Sequence, residues 1–537
     1  MHFDHYLRYD EMTDFLRTLC AAHPGLAVMD SIGKTYEGRD IWLITVTDFS
    51  TGSPESKNAL SMDGGIHATE VASTMGVLHT LDALLSGFGT DEAITRLLRL
   101  HTVYAIPRIN ADGAELILTT PGKVRGSVEK YYPLQDGVVP EDINGDGEIL
   151  QMRIPDPAGR WKAADFDPRV MEERGPADCT GPFYTLLPEG MVHGEDRIAL
   201  HEAPPQEGLD PNRQFPFDWS DHVPDECGQN TSGPAPLHDK EVQALHSFVL
   251  SHPNIAFEMN FHTYGGQHIS PLDFCPREKP LSGDAELFNK LGSMFHEITG
   301  YQTQGIFPPG ATDIAHGSYT TYLFWTLGIP AYVTELWDFL VQADPERPSG
   351  WSMYFIACRE QFVRETTTQL QWDAQQNESR GFVPWTPFHH PQLGDVEIGG
   401  WKEKFTRWNP PIHLLPGVLE KARATAQASL TLLPALEIGI YSVSCVGNDE
   451  YELVLALRNT GFLPTSASQQ AVVHGLGNDL LLEARSDEQL VSQSLLPLEG
   501  YSSRRVAVHV KGHSGLKIHL TLSALRAGKA EADCVLP

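Results

Sequence analysis

The chain has 537 residues, 41% of them hydrophobic and 20% charged, which supports packed cores and, at roughly 100–200 residues per domain, more than one domain. Disorder, collagen-like repeats and a long coiled coil are excluded for the bulk of it. Lys plus Arg number 39 against 70 Asp plus Glu, a formal net charge of −31. A surface that acidic repels phosphate and argues against nucleic-acid and anionic-membrane partners. The 7 cysteines are scattered without a CxxC pair and read neither as a disulfide framework nor as a thiolate zinc site. The opening MHFDHYLRYDEM lacks the basic and apolar regions of a signal peptide, and no run of about 18 apolar residues occurs, so the expectation is a cytoplasmic protein that does not span a membrane.

In chain order, DEMTDFLRTLCAA (10–22) places Met12, Phe15, Leu16 and Leu19 on one helical stripe. Strand-like runs follow at 26–33, 40–48 and 59–65, then helices over Glu70 to Leu85 and 91–99, then the strand HTVYAIPRI (101–109). Residues 120–211 are rich in Pro, Gly and Asp with little periodicity, and read as an elaborated insertion draped over the sheet. Alternation resumes with a helix in 237–252, strand AFEMNFH (256–262), helices 284–299 and 319–327, strand AYVTEL (331–336) and a helix over 351–376. Segment 381–415 is aromatic and rich in Pro and Gly, and a last helix runs near 417–432. Strands alternating with helices predict an α/β domain over 1–434. After Pro434, alternating strands at short intervals predict a small β-sandwich over 435–537, immunoglobulin-like in texture.

The first chemically informative cluster is DGGIHATE (63–70), where His67 and Glu70 follow a strand ending in two glycines. That spacing lets an imidazole and a carboxylate converge on one ion, and a catalytic zinc takes three protein ligands and keeps one position open. His262, at the end of the strand in MNFHTYGG, is the distant third ligand, because ligands in open α/β sheets gather at the carboxyl ends of strands. His79, within the 70–85 helix, reads as a helix-face residue. PNRQFPFDW sets Asn212 beside Arg213, an amide and a guanidinium suited to holding a carboxylate. VTELWD ends an apolar strand in Glu335, a partly desolvated carboxylate suited to general-base work. Taken singly, Arg213 reads rather as a surface ion pair, Glu335 as a strand-end charge and Arg108 as a loop contact.

Together YEGRDIW (36–42), GGIHATE (64–70), PRINADG (107–113), DPNRQFPFDW (210–219), FHTYGG (261–266) and VTELWD (333–338) resemble, in order, the M14 family of zinc carboxypeptidases. HPQLGDVEIGGW (390–401) is similar to that of its large bacterial members, and the likeness covers roughly residues 5–430. The resemblance implies a mixed sheet with helices on both faces, zinc held by His67, Glu70 and His262, and Glu335 as catalytic acid and base. It matches Asn212 and Arg213 to the pair that grips the substrate's terminal carboxylate and Tyr264 to a tyrosine lining the cleft. Arg125, twelve residues after Gly113, matches the arginine that polarises the scissile carbonyl, with Arg153 as the alternative and Arg108 read as structural or pocket-edge. The family's mobile cleft tyrosine has no match in GIFPPGATDIAHG (305–317), and Tyr319 and Tyr322 fall out of register. The pocket-floor stretch GSYTTYLFW (317–325) holds neither acid nor base, which favours apolar or aromatic side chains. The implied substrate is a peptide with a free C-terminus. A zinc amidase or hydrolase of cell-wall peptides or N-acyl amino acids needs the same metal site and stays open, as does a non-catalytic binding module.

In EDINGDGEILQMR, Asp142, Asn144 and Asp146 alternate before Gly147 as oxygen ligands do in a calcium loop, but Arg153 stands at the twelfth position, where an EF-hand carries Glu. A calcium loop stapling the insertion and an Asx-rich turn are both open.

Overall fold

The computed structural model describes all residues except 1–2, 196–198, 226–227, 276–277, 304–314, 346–357, 478 and 488. Seven strands form the central sheet, in the spatial order Ala27–Lys34, Asp40–Val46, Thr102–Ile106, Ala59–Gly64, Ile255–Thr263, Ala331–Leu336 and Gln267–Ile269. The inner four run parallel and the outer ones antiparallel. This is the mixed sheet expected, and its inner strands are almost wholly buried because both faces are covered. On one face the helices Tyr9–Ala22, Val71–Gly87, Ser282–Thr299 and Leu415–Leu432 pack with Leu60, Met62, Phe257, Met259 and Phe261. On the other, Lys240–Ser251 and Tyr319–Leu327 pack with Ile41, Leu43, Tyr104 and Ile106.

Side chains alternate across a strand. With Leu60, Met62, Phe257, Met259 and Phe261 directed to the first face, Ser61, Asp63, Glu258, Asn260 and His262 fall on the second. In register Ser61 lies opposite Glu258, Asp63 opposite Asn260, and His262 opposite Glu335. Gly64 ends its strand hard against the Val71–Gly87 helix; a Cβ there would sit 2.9 Å from the Ser73 carbonyl group.

A helix that periodicity did not reveal, Ala111–Thr119, follows PRIN, started by the Asn110 side chain accepting from Gly113 N. The insertion is more regular than its composition suggests. Its strands Gln151–Pro155, Tyr184–Pro188, Trp161–Ala163 and Met171–Glu173 join the hairpin Phe382–His390 and Gly394–Trp401 in a six-stranded sheet. A small core of Val138, Met152, Ile154, Val192 and Val396 sits beneath it. The helix expected over 351–376 is described as Arg359–Gln376, and its earlier part lies outside the described residues.

After Pro434, strands Leu436–Gly447, Glu450–Asn459 and Ser502–Lys511 form one sheet. Leu490–Leu495, Leu480–Arg485, Lys517–Ala524 and Gly528–Val535 form a second, and a leucine- and valine-rich core is shared between the two. This segment docks on the end of the Tyr319–Leu327 helix. Ser468 Oγ and Arg526 Nη1 donate to Gly328 O, and Arg526 Nη2 donates to Leu327 O.

Candidate metal centre and substrate cleft

His67, Glu70 and His262 come together although 195 positions separate the two histidines. The tight turn after the Ala59–Gly64 strand, with Gly65 at φ +64°, brings His67 and Glu70 back over the sheet end, beside the end of the Ile255–Thr263 strand. His67 Nδ1 lies 2.7 Å from Glu70 Oε1, His262 Nδ1 lies 2.9 Å from Glu70 Oε2, and the two Nδ1 atoms are 3.1 Å apart. All three side chains are 2–3% exposed. The far nitrogens are also engaged: His67 Nε2 donates to Asp210 Oδ1 at 3.1 Å and His262 Nε2 to Asn260 Oδ1 at 2.6 Å. A proton on each Nε2 leaves each Nδ1 with its lone pair directed inward. Two imidazole nitrogens and a carboxylate converging in a dry site can hold a cation between them, and two nitrogens with one oxygen donor suit zinc. Burial alone would raise the Glu70 carboxyl; in the metal-free protein His67 and His262, when protonated, hold it well below the usual carboxylate range.

Arg125 closes over this centre. Its Nη1 donates to Glu70 Oε1 at 3.1 Å and its Nε to Asp210 Oδ2 at 3.4 Å, while Nη2 lies 3.1 Å from His67 Nε2. With 53% of its side chain exposed it faces the cleft. Arg153 is elsewhere: it pairs with Glu397 at 2.7 Å and stacks on Tyr184 and Trp385, as a bracing residue of the six-stranded sheet. The alternative assignment of the carbonyl-polarising arginine to Arg153 is thereby removed. Arg108 is buried, donating to Leu7 O at 2.7 Å, and His79 pairs with Glu420 at 2.8 Å, both structural.

Glu335 lies opposite His262 in register. Burial pushes its carboxyl up to about 8; Glu70 adds to this, while His262, Arg125 and Arg213 oppose it. Its Oε2 is buried without a partner among the described residues. Asn212 Oδ1 accepts from Tyr319 N at 2.8 Å, which fixes the side-chain amide so that Nδ2 is the free donor end. Arg213 feels Asp210, Arg125, Glu70 and Glu335, so the guanidinium shares their neighbourhood. Tyr264 is half-buried; burial raises its hydroxyl, and Arg407, Glu403, Arg125 and Glu335 all act on it. Tyr319 and Tyr322 are buried in the second core, and most of the stretch 305–317 lies outside the described residues.

The calcium expectation finds no support. Asp142 accepts from Gly145 N and Gly147 N, Asn144 from Asp146 N, and Asp146 from Glu148 N. The side-chain oxygens satisfy their own loop, as in an Asx-rich turn.

Four residues at the site escaped sequence reasoning. Asp210 orients His67, and burial notwithstanding it is held well below the carboxylate range by His67, Arg213 and Arg125. Asn260 orients His262, and its Nδ2 in turn donates to Asp63. Beneath them Asp63 and Glu258 are both raised by burial, and Asp63 also pushes Glu258 up. The available signal was polar residues at alternate positions, Glu258, Asn260 and His262, within an otherwise apolar strand.

Fold and site together define an α/β protein with a two-histidine, one-carboxylate metal centre at the carboxyl ends of parallel strands. A family model described as zinc carboxypeptidase matches residues 12–366, and the chain belongs to that family. A second family model, a domain of unknown function (DUF8731), matches residues 435–535. Carboxypeptidase A2 of Rattus norvegicus is 34% identical over 119 residues, 22% of this chain and 27% of that protein. The inactive metallocarboxypeptidase ecm14 of Talaromyces stipitatus is 31% identical over 115 residues, 21% of this chain and 19% of that one. The chain thus spans about a quarter of the length of the first curated relatives it matches. Carboxypeptidase A from Helicoverpa armigera aligns structurally over 71% of this chain and 75% of its own, with 15% identity and a TM-score of 0.42.

Proposed function

We propose that the protein is a zinc metallocarboxypeptidase that removes C-terminal residues from peptides. The observation that carries this reading is the conjunction of a closed His67–Glu70–His262 donor set with Arg125, Arg213 and Glu335 around one cleft. His67, Glu70 and His262 would hold zinc, which would supply Lewis acidity to the cleft. Glu335 takes a proton from the attacking water and gives it to the leaving nitrogen. Arg125 donates to the carbonyl oxygen as its charge grows. Arg213 and the Nδ2 end of Asn212 hold the substrate's terminal carboxylate, which sets the scissile bond one residue from the chain end. Tyr264 lines the cleft beside them. Side-chain preference runs to apolar and aromatic residues, since Tyr319, Tyr322, Leu323 and Phe324 are apolar in bulk and no charged residue occurs in 317–325.

The test is trimming of a mixed peptide library by the zinc-loaded protein, followed by mass spectrometry. Stepwise loss of single C-terminal residues, blocked by a chelator and restored by zinc, is the expected result. Cleavage only of amides lacking a free α-carboxylate, or no turnover at full zinc occupancy, overturns the reading. The second outcome would place the chain with its relative named inactive.

A further inference from the structure

Among the described residues a second set of metal-competent side chains stands apart from the zinc ligands: Glu129, His238 and Asp239 each bring one donor atom within 4.8 Å of the others. Glu129 leaves the segment that carries Arg125, and His238 and Asp239 precede the Lys240–Ser251 helix. His238 Nε2 is buried without a hydrogen-bond partner and lies 3.9 Å from Glu129 Oε2, beyond hydrogen-bond reach. Asp239 is 4% exposed and its Oδ1 is likewise buried and unpartnered. Its Oδ2 accepts from Gln214 Nε2 at 2.8 Å, which fixes the carboxylate. The ring of Tyr131 stands edge-on to His238 at 5.8 Å.

Two buried polar atoms in one cluster, each without a partner among the described residues, cost desolvation without return unless something joins them. Burial pushes Asp239 up to about 7, with Glu241, Glu129 and Asp210 adding to it, so the surroundings hold more negative charge than the described groups balance.

We propose that Glu129, His238 and Asp239 form a second divalent-cation site. One imidazole nitrogen and two carboxylate oxygens select a borderline ion such as zinc or cobalt(II) over calcium, which takes oxygen ligands only. The ion joins the Arg125 segment to the start of the 240–251 helix. Glu129 follows Arg125 by four positions, and this stretch is otherwise pinned by Ala68 N donating to Arg125 O and Ser127 N donating to Leu209 O, each at 2.8 Å. Its role is to position Arg125 from a distance; none of its three residues touches the catalytic donor set. The inference does not rest on the hydrolytic reading.

The experiment is zinc and cobalt(II) uptake by the full chain after stripping with a chelator, read by elemental analysis and by melting temperature. The unaltered chain is expected to bind two ions, His67→Ala one, His238→Gln one, and the double variant none. Zinc should raise Tm of His67→Ala, and adding His238→Gln should abolish the rise. Glu129→Gln, on a more exposed side chain, gives the same readout if His238→Gln fails to fold. One ion in the unaltered chain, or two that survive both His238→Gln and Glu129→Gln, overturns the site whatever the hydrolytic assay shows.

Discussion

Replacing Glu335 with Gln separates chemistry from architecture at this site. The substitution keeps volume and planarity and removes only the capacity to hold a proton as a carboxyl. His262 is held in place by Asn260 and by the strand pairing rather than by Glu335. Glu335 Oε2 makes no hydrogen bond, so no neighbour loses a partner at that atom. Zinc content and KM are therefore expected to stay at wild-type values. Loss of a general base costs about 10²- to 10⁴-fold in rate, or about 2.7–5.5 kcal/mol of barrier. Stability should move the other way. Burial raises the Glu335 carboxyl from 4.5 to about 8 in the metal-free protein. A folded-state pKa above the unfolded one stabilises fully below the unfolded value, and that contribution is lost as pH rises through about 8. Each unit is worth about 1.36 kcal/mol, so after discounting for residual exposure roughly 2–4 kcal/mol is at stake. Gln cannot ionise and keeps its contribution. Stripped of metal, Glu335→Gln should melt above the parent at pH 9 and close to it at pH 5. Steady-state kinetics on a short peptide and melting curves at the two pH values are the assays. A variant that retains kcat within about tenfold of the parent would refute the assignment of Glu335 as base.

Arg213→Ala should raise KM steeply for peptides with a free C-terminus and barely change it for C-terminally amidated ones; equal effects on both would discard the clamp. Asn260→Leu removes the acceptor that fixes the His262 tautomer and should weaken zinc binding about 10- to 100-fold, measured by competition with a chromogenic chelator; unchanged affinity would show that the strand alone orients the ring. Burial raises both Asp239 and Glu241 to about 7, with Glu241 adding to the shift of Asp239 and Asp112 to that of Glu241. For the metal-free chain their contribution to stability is complete below about pH 4 and is lost as pH rises through 7. Asp239→Asn should therefore flatten the fall of Tm between pH 5 and 8, and parallel curves for variant and parent would sink that account.

The central sheet was legible because its strands are short apolar runs punctuated by Gly and Pro, and the helices covering it carry an apolar face. The His67–Glu70–His262 cluster was legible because its members stand in recognisable segments, between the Ala59–Gly64 strand and the next helix and at the end of the Ile255–Thr263 strand. What local pattern could not show were contacts closed by distant segments. Arg153 reads as a free cation in an insertion until the 394–401 strand pairs with 151–155 and sets Glu397 opposite it. The insertion itself looked irregular because its strands are only three to five residues long, and one of them, Gln151–Pro155, also pairs with the distant strand Gly394–Trp401. Helix 111–119 was missed because its nine residues, ADGAELILT, hold too few turns for periodicity to register. Glu129 and His238 carried no signal at all: 109 positions separate them, and neither lies in a motif.

The polar row on the Ile255–Thr263 strand explains why a metal centre can be rigid without extra loops to brace it. Glu258, Asn260 and His262 occupy alternate positions on one face, while Phe257, Met259 and Phe261 anchor the opposite face in the main core. A one-residue slip would expose every apolar anchor and bury the polar row in the apolar core, so the register that packs the core also fixes where His262 points. Asp63, opposite Asn260 on the next strand, takes the amide hydrogen that locks Asn260, and Asn260 in turn takes the imidazole hydrogen. Burial makes both Glu258 and Asp63 hold their protons more tightly, and Asp63 adds to the effect on Glu258. The cost of two buried acids is therefore tied to the orientation of a single ring nitrogen. That gives a physical reason for polar residues in strands that packing alone would fill with valine and leucine.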